Sequence, residues 1–450
     1  MPSLEGKPFA RVLVIGGLDG AEASVAAARA EASRRGLPAL LHRFPDPDRV
    51  LFPPPGEAYA GPTGEAHYLW RYLLQRAPDH IYIAGKSSTA TRLAEALKDK
   101  IPVTIVASAE LGKALRKTKH PPSPWRLEID RRLARTPEQM ARQLAVHYGH
   151  ALDEAVYIPA MALVAQLRLG AQAEVERVVA PYTSGEKPSL TAKPSASHQS
   201  GHLLFGELYK LTKKPEYLKL VLTAANMAFE PDGSPKEAMP LHNEMSDSFF
   251  MGCPILAQAG RLTGEAKYYG MALRHFRFMQ KLDLRPDGIY RHSPLDEAAW
   301  GRGNGFPALG MALTLTELPA DHPARTEILT AFQAHLRALL RHQDDLGAWH
   351  QVVDHPESYP EYTATAMIGF ALTRALRNGW INGSAFEVAR DKAWQAIQRR
   401  TAEDGVLLDV CASTGKQRSL RDYYDRPAIF ARDPRGGAMG MLFATELMQR

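Results

Sequence analysis

From Thr136 to the C-terminus the apolar residues recur at helical spacing, and no strand-like alternation interrupts them. Two stretches stack as copies. Residues 203–217 read LLFGELYKLTKKPEY and residues 255–269 read ILAQAGRLTGEAKYY, with Thr212 and Thr263 closing matching helices. Similar apolar helices are predicted to begin near Glu154, Gly305, Thr363 and Gly437. The six recur at a spacing of roughly 45–75 residues, at or just beyond the range of helical repeats. Amphipathic segments lie between them, at 138–150, 266–282, 324–341 and 384–399. Helices apolar on all sides belong inside and striped ones outside. The alternation predicts six inner helices wrapped by outer ones, an all-α (α/α)6 toroid. An open solenoid is the alternative, but it would seldom make every inner helix so apolar.

The first part of the chain has a different rhythm. RVLVIGG at 11–17, HIYIA at 80–84 and residues 101–107 are short buried-strand patterns alternating with helical sequence, as at 21–35. Such alternation predicts a small α/β domain with a parallel sheet. Its glycines form neither GxGxxG nor GxxxxGK[ST], so nucleotide binding has weak support. Residues 107–135, centred on KHPPSPWRLEID, read as the boundary. The chain is thus predicted to be multidomain: an α/β domain over 1–120 and a helical domain over 134–450.

Composition changes this picture little. The 450 residues suffice for two or three domains, with ordinary apolar and charged fractions. The net charge of +6 comes with a basic run of Lys113, Arg116, Lys117, Lys119, Arg126, Arg131, Arg132 and Arg135. A nucleic-acid surface needs interleaved aromatics, and only Trp125 is present, so a solvated connector is expected. Cys253 and Cys411 make neither a disulfide framework nor a metal cluster, and each reads as a buried free thiol. No metal or cofactor is expected. The first ten residues lack an apolar signal core and no 18-residue apolar run occurs, which predicts a cytoplasmic chain without a membrane partner.

Polar residues gather at the N-terminal ends of the predicted inner helices: SHQSG at 197–201, MSDS at 245–248, WGRGN at 300–304, YPEYT at 359–363 and RGG at 435–437. In a closed ring these ends meet at one mouth, where free N–H groups and partial positive charge favour a carboxylate-bearing ligand. Asp247, just ahead of an apolar helix, is either a helix cap or an acid whose pKa its apolar neighbours would raise. Trp300, Trp349, Tyr359 and Tyr362 beside His292, His350, Gln351 and Asn304 suit a sugar, with its apolar faces and hydroxyl rim. Arg302 offers a carboxylate a bidentate fork. Gly301 and Gly303 permit close backbone approach. The Trp residues serve core packing equally well, and His242 reads as structural or solvated.

Two resemblances rest on longer motifs. GGLDGAE at 16–22 and residues 52–84 resemble the core of zinc carboxypeptidases. Their first ligand position holds Asp19, Glu22 is kept, and the later histidine position is Ala84. A three-ligand zinc site cannot be built from that set, so the segment looks like a truncated, catalytically dead relative. The helical part is similar to the unsaturated uronyl hydrolases, glycoside hydrolase families 88 and 105. The matching motifs are DEAVYIPAMAL at 153–163, the Asp247 segment with PILAQAGRLTGEAKYY, WGRGNGF at 300–306, QDDLGAWHQVVDHPESYPEYTATAM at 343–367, VCASTGKQ at 410–417 and the glycines at 436–437. The family fold is an (α/α)6 toroid.

The resemblance implies a partner, a uronic-acid-containing oligosaccharide, and a reaction. A lyase leaves a sugar with a C4=C5 vinyl ether. Protonating C4 makes an oxocarbenium-like centre at C5, water adds there, and the hemiketal opens to release the aglycone. Asp247 takes the acid/base role, Arg302 and His292 hold the uronate and hydroxyls, and Trp300 is a stacking platform. His198, Gln199, Asn304, His350, Tyr359 and Glu361 complete the expected binding set. One departure stands out. The family's second Asp falls at Gln199, which carries neither proton nor charge, leaving Glu361 as a possible substitute. The same fold acting on intact uronides, as hydrolase or lyase, and a non-catalytic carbohydrate-binding protein are the alternatives.

Overall fold

The computed structural model describes residues 3–5, 11–44, 50–59, 64–116 and 119–449. Residues 60–63, within the stretch expected to resemble carboxypeptidases, Lys117 and most of the first ten residues lie outside these. The chain forms two compact units, Met1–Arg135 and Thr136–Arg450.

The first unit is built on one five-stranded sheet. Its strands are β1 (Ser3–Glu5), β2 (Val12–Gly16), β3 (Ala39–Leu41), β4 (His80–Ala84) and β5 (Val103–Val106), in the order β1-β3-β2-β4-β5. All neighbours are parallel except the edge pair β1/β3. Helices α1 (Glu22–Arg35), α2 (Glu65–Arg76), α3 (Ser88–Leu97), α4 (Leu111–Ala114) and α5 (Pro124–Ala134) accompany it. Leu13, Ile15, Leu69, Leu73, Ile81, Ile83 and Leu93 pack one core, and Val12, Val14, Ala28, Leu41 and Tyr82 another.

The expected solvated connector is instead ordered helix. Ser123 accepts a hydrogen bond from Arg126 N as the cap of α5. Trp125 packs on the core and donates its indole N–H to the Leu74 carbonyl at 2.6 Å. Of the basic residues that suggested solvent, Arg126, Arg131 and Arg132 lie on this helix, which also holds Trp125 and the buried Ile129.

The second unit is a ring. Six inner helices run α7 (Tyr157–Arg168), α9 (Ala196–Gly201) continued by α10 (Leu203–Thr212), α12 (Ser248–Thr263), α14 (Gly301–Glu317), α16 (Tyr362–Arg377) and α19 (Pro434–Leu447). Each packs on the next, and α19 packs back on α7, which closes the circle. Outside them lie α6 (Pro137–Ala145), α8 (Gln172–Thr183), α11 (Pro215–Ala225), α13 (Ala266–Asp283), α15 (Pro323–Leu340) and α17 (Ser384–Arg399), each against its inner partner. Strands β6 (Leu407–Cys411) and β7 (Ala428–Ala431) pair antiparallel around the short helix α18 (Leu420–Tyr424).

The two-layer rule is visible in burial. In α12 every residue from Ser248 to Gly260 is buried. In α13 only a stripe is, from Tyr268 and Tyr269 through Met271, Ala272, His275, Phe276 and Met279 to Asp283. The repeat seen at Thr212 and Thr263 is real in three dimensions. Each hydroxyl donates to the carbonyl four residues earlier and accepts the N–H two residues later. Each helix then ends in a left-handed residue, Lys213 or Gly264. Among the described residues no helix is long and apolar enough to cross a membrane. Both cysteines are buried free thiols.

Candidate active site

Three inner helices have an acidic residue at the N-cap, and their roles diverge. Glu361 caps α16, accepting from Thr363 N at 3.1 Å and Ala364 N at 2.6 Å. Asp433 caps α19, accepting from Arg435 N at 2.8 Å and Gly436 N at 3.2 Å. Both have the extended backbone of a cap. Asp247 does not. Its φ and ψ are already helical and its carboxylate makes no capping bond. Oδ2 lies 3.2 Å from His292 Nε2 and has no hydrogen-bond partner among the described residues. Its side chain is 15% exposed, while that of His292 is wholly buried.

Several bonds fix this placement. Ser246 N donates to His292 O at 3.0 Å, and Ser246 Oγ donates to Gly303 O at 2.7 Å. His275 on α13 bonds the Ser248 carbonyl at 3.0 Å through Nε2 and accepts Met239 N at 3.2 Å. Burial depresses its pKa to about 4, so it stays neutral. His292 is oriented from behind by the Tyr423 hydroxyl, 2.8 Å from Nδ1. Its ring rests on Trp300 with centroids 4.6 Å apart.

Arg302 is buried beside this pair, its guanidinium 4.9 Å from the Trp300 ring centroid. It donates to Thr363 Oγ1 at 3.3 Å and to Cys411 O at 3.1 Å. Burial works against its charge, yet Cys411, Tyr157, Glu361 and Asp247 together hold its pKa above the ordinary value. The Tyr157 phenol, buried at the start of α7, feels both Arg302 and Asp247. Burial chiefly pushes its pKa to about 12. Acid and imidazole are thus in contact, and the guanidinium and phenol lie within electrostatic reach of the Asp247 carboxylate.

The other expected residues divide. Gln199 is buried and donates Nε2 to Pro240 O at 2.8 Å, leaving Oε1 without a partner among the described residues. His198 accepts Ser195 N at 3.2 Å on Nδ1, with Nε2 3.5 Å from the Glu154 carboxylate. These two remain at the N-terminal end of their helix with a free polar atom each.

Four of the expected residues are engaged inside the protein. Asn304 is a clamp: Oδ1 accepts Tyr290 N at 2.8 Å while Nδ2 donates to Tyr290 O and Trp300 O. His350 is spent on the Ser358 carbonyl at 2.6 Å and the Asp344 carboxylate at 3.2 Å, bracing its own loop. Glu361, besides capping α16, accepts Thr363 Oγ1 and Cys411 N, so a wholly buried carboxylate has no oxygen left to replace the missing Asp. Tyr359 is buried, with its side chain against the Cys411 thiol. Trp349 and Tyr362, also pictured at the mouth, are core: Trp349 donates to Leu339 O and the Tyr362 hydroxyl bonds Thr401. Gly301 makes its close approach to protein, since a Cβ there would sit 2.3 Å from His350 O. His242 is half-buried against Phe278, as expected of a structural residue.

Two site residues escaped the sequence reading. Tyr157 lies inside a quoted motif and opens an inner helix, so its position was a usable signal. Tyr423 left none, because it reaches His292 across 131 positions. Among the described residues no three His, Cys, Asp or Glu side chains gather to hold a metal.

The chain is similar to the unsaturated rhamnogalacturonyl hydrolase YesR of Bacillus subtilis, 29% identical over 231 residues, 49% of this chain and 62% of that protein. It is 27% identical over 172 residues to an unsaturated 3S-rhamnoglycuronyl hydrolase of Alteromonas, covering 36% of this chain and 42% of that one. It therefore spans only about half the length of these curated relatives. Its fold is that of a possible member of family GH105 from Salmonella enterica, with a TM-score of 0.60 at 20% identity, covering 70% of this chain and 94% of the other. Residues 155–450 match the sequence pattern of Glycosyl Hydrolase Family 88, and the chain belongs to that family.

Proposed function

We propose that this chain is a glycosidase that releases a C4=C5 unsaturated uronic acid from lyase-generated oligosaccharides by hydrating the vinyl ether. The observation that carries the reading is the contrast among the acidic N-cap residues. Glu361 and Asp433 spend their carboxylates on helix ends, whereas Asp247 leaves its own free beside a buried imidazole and within the field of Arg302. A carboxyl so placed can donate a proton to C4 and then accept one from the water that attacks C5.

In this reading the Arg302 guanidinium and the Tyr157 phenol receive the uronate, and Trp300 supplies an apolar face. His292, locked by Tyr423, orients Asp247 and the adjoining hydroxyls. Gln199 contributes only its Oε1 acceptor, so it positions a hydroxyl and moves no proton. The relatives named for unsaturated rhamnogalacturonyl and rhamnoglycuronyl substrates support a uronyl sugar at this place. The carboxypeptidase-like first unit is a non-catalytic module here. The Asp19 carboxylate is held by Ser24 Oγ and Ala21 N, Glu22 pairs with Arg43, and Ala84 offers no ligand atom.

The test uses the near-ultraviolet absorbance of the double bond. Mixing enzyme with unsaturated uronyl disaccharides makes the absorbance fall. Asp247→Asn slows that fall by about 10²–10⁴-fold, the usual size of a lost acid–base group, while disaccharide binding persists. An unchanged signal across a broad panel replaces this reading with carbohydrate binding alone. A rising signal on intact polysaccharide replaces it with a lyase.

A further inference from the structure

His292 meets Asp247 with one ring nitrogen and a phenol with the other, and that phenol is held in turn from the main chain. Gln417 N donates to the Tyr423 hydroxyl at 3.2 Å, and the hydroxyl lies 2.8 Å from His292 Nδ1. Nε2 of the same ring lies 3.2 Å from Asp247 Oδ2. Tyr423 and the imidazole are both wholly buried. Gln417, Tyr423 and His292 thus form a chain that ends on the acid. A ring turned by 180° would present carbon atoms to both neighbours, so this is the placement that bonds.

The direction of the chain is fixed at its far end. A backbone amide donates and cannot accept. The Gln417 N–H therefore takes a lone pair of the Tyr423 oxygen, and the phenol's own hydrogen must go elsewhere. Burial, against the pull of the Gln417 N–H, pushes the Tyr423 pKa up to about 12, so that hydrogen is kept. Among the described residues its one acceptor is His292 Nδ1, and a buried hydroxyl hydrogen left unbonded would cost stability. Nδ1 is then an acceptor. In a neutral imidazole the ring proton accordingly sits on the other nitrogen, Nε2, which faces Asp247.

We propose that the Tyr423 hydroxyl, set by the Gln417 N–H, is a positioning group that holds His292 in its Nε2–H tautomer, so that the imidazole meets Asp247 Oδ2 as a donor and the catalytic proton belongs to Oδ1. This rests on the reading of Asp247 as the proton donor. In the opposite tautomer Nε2 would be a bare base beside the acid, and an imidazole is ordinarily a stronger base than a carboxylate. It would draw the proton away from C4. With Nε2 already protonated, that lone pair is gone. Oδ2 is closed off from solvent while the side chain as a whole is 15% exposed, so Oδ1 is the oxygen a sugar can reach. The Nε2–Oδ2 contact is not aligned as a hydrogen bond, and catalytic pairs commonly tighten only when substrate binds.

Imidazole nitrogen-15 spectra of the full chain read the tautomer directly and need no substrate. The protein is labelled with nitrogen-15 histidine and kept mildly alkaline, where imidazoles are neutral. The His292 signals are assigned by their loss in His292→Gln. Nε2 is expected to be the protonated, pyrrole-type nitrogen and Nδ1 the pyridine-type one. A protonated Nδ1, whether in a neutral or a doubly protonated ring, overturns the proposal.

Tyr423→Phe keeps the aromatic ring and removes the hydroxyl. Its Nδ1 signal is expected to move toward the protonated type as the tautomers mix. For unsaturated disaccharides kcat is expected to fall about tenfold, with KM changed less. An unchanged His292 spectrum in this variant overturns the role of Tyr423, because a merely structural phenol would lower the melting temperature and leave the tautomer as it was. If Tyr423→Phe does not fold, the wild-type spectrum still decides. Should the enzyme leave unsaturated disaccharides untouched, the substrate reading falls while the spectra continue to judge the tautomer.

Discussion

A carboxylate ahead of an apolar helix has two uses, and at single residues the structure separates them by hydrogen bonds. Glu361 and Asp433 satisfy N–H groups that a helix cannot satisfy internally. Asp247 leaves those groups alone and faces His292. The same accounting moves Asn304 and His350 from ligand contacts to internal braces. Asn304 bonds both the N–H and the C=O of Tyr290, so Asn304→Ala strands two buried backbone groups. At about 1–3 kcal/mol for each unsatisfied group, that variant is expected to melt several degrees lower. A direct substrate role would instead raise KM at unchanged melting temperature, and measuring both tells the two apart. Sequence offered the right residue types here, but it could not say which polar atoms the protein itself consumes.

At the scale of elements, the inner helices carry out what their composition demands. Their all-round apolarity was readable, and so was the Thr-ended repeat of α10 and α12, since both depend on local spacing. Contact distances were not. Gly310 shows why: α14 passes so close to α12 that a Cβ there would lie 2.5 Å from Phe249 O, a backbone atom with no freedom to retreat. Gly310→Ala is therefore expected to destabilise the enzyme by about 1–3 kcal/mol, measured by denaturant unfolding. Because α12 and α14 also carry Asp247 and Arg302, kcat is expected to fall as well. Helix α5 was misread for an opposite reason. Its charged residues dominate the pattern, and the Trp125 anchor that fixes it is a single residue.

The whole ring is closed at the end away from the mouth by charge. Glu446 on α19 accepts from Arg374 and Arg377 of α16 and pairs with Arg168 of α7, so three inner-ring helices converge on one wholly buried carboxylate. Burial alone would raise the pKa of Glu446, but Arg374, Arg168 and Arg377 reverse that and hold it below the usual range. A depressed folded pKa contributes stability above the unfolded value of about 4.3, and that contribution is lost as pH falls through the folded value. Glu446→Gln is expected to cost about 3–5 kcal/mol near neutrality, because it leaves buried guanidinium charge unpaired. The difference from wild type is expected to shrink below about pH 4. Urea unfolding at pH 7 and pH 3 checks both statements.

The sequence by itself determined the layers. Apolarity on every side sends a helix inward and a stripe leaves it outside, and these are properties of spacing along one chain. It also placed Asp247, Arg302 and Trp300 at helix starts that a closed ring must bring together. Tertiary structure alone decided which of those side chains stay available and which groups join them from afar. Tyr423 locks His292 from another element, and Glu361 is consumed where its oxygens fall among N–H groups. A carboxylate's role depends on the donors within about 3 Å of it, and those donors come from positions that no local pattern connects.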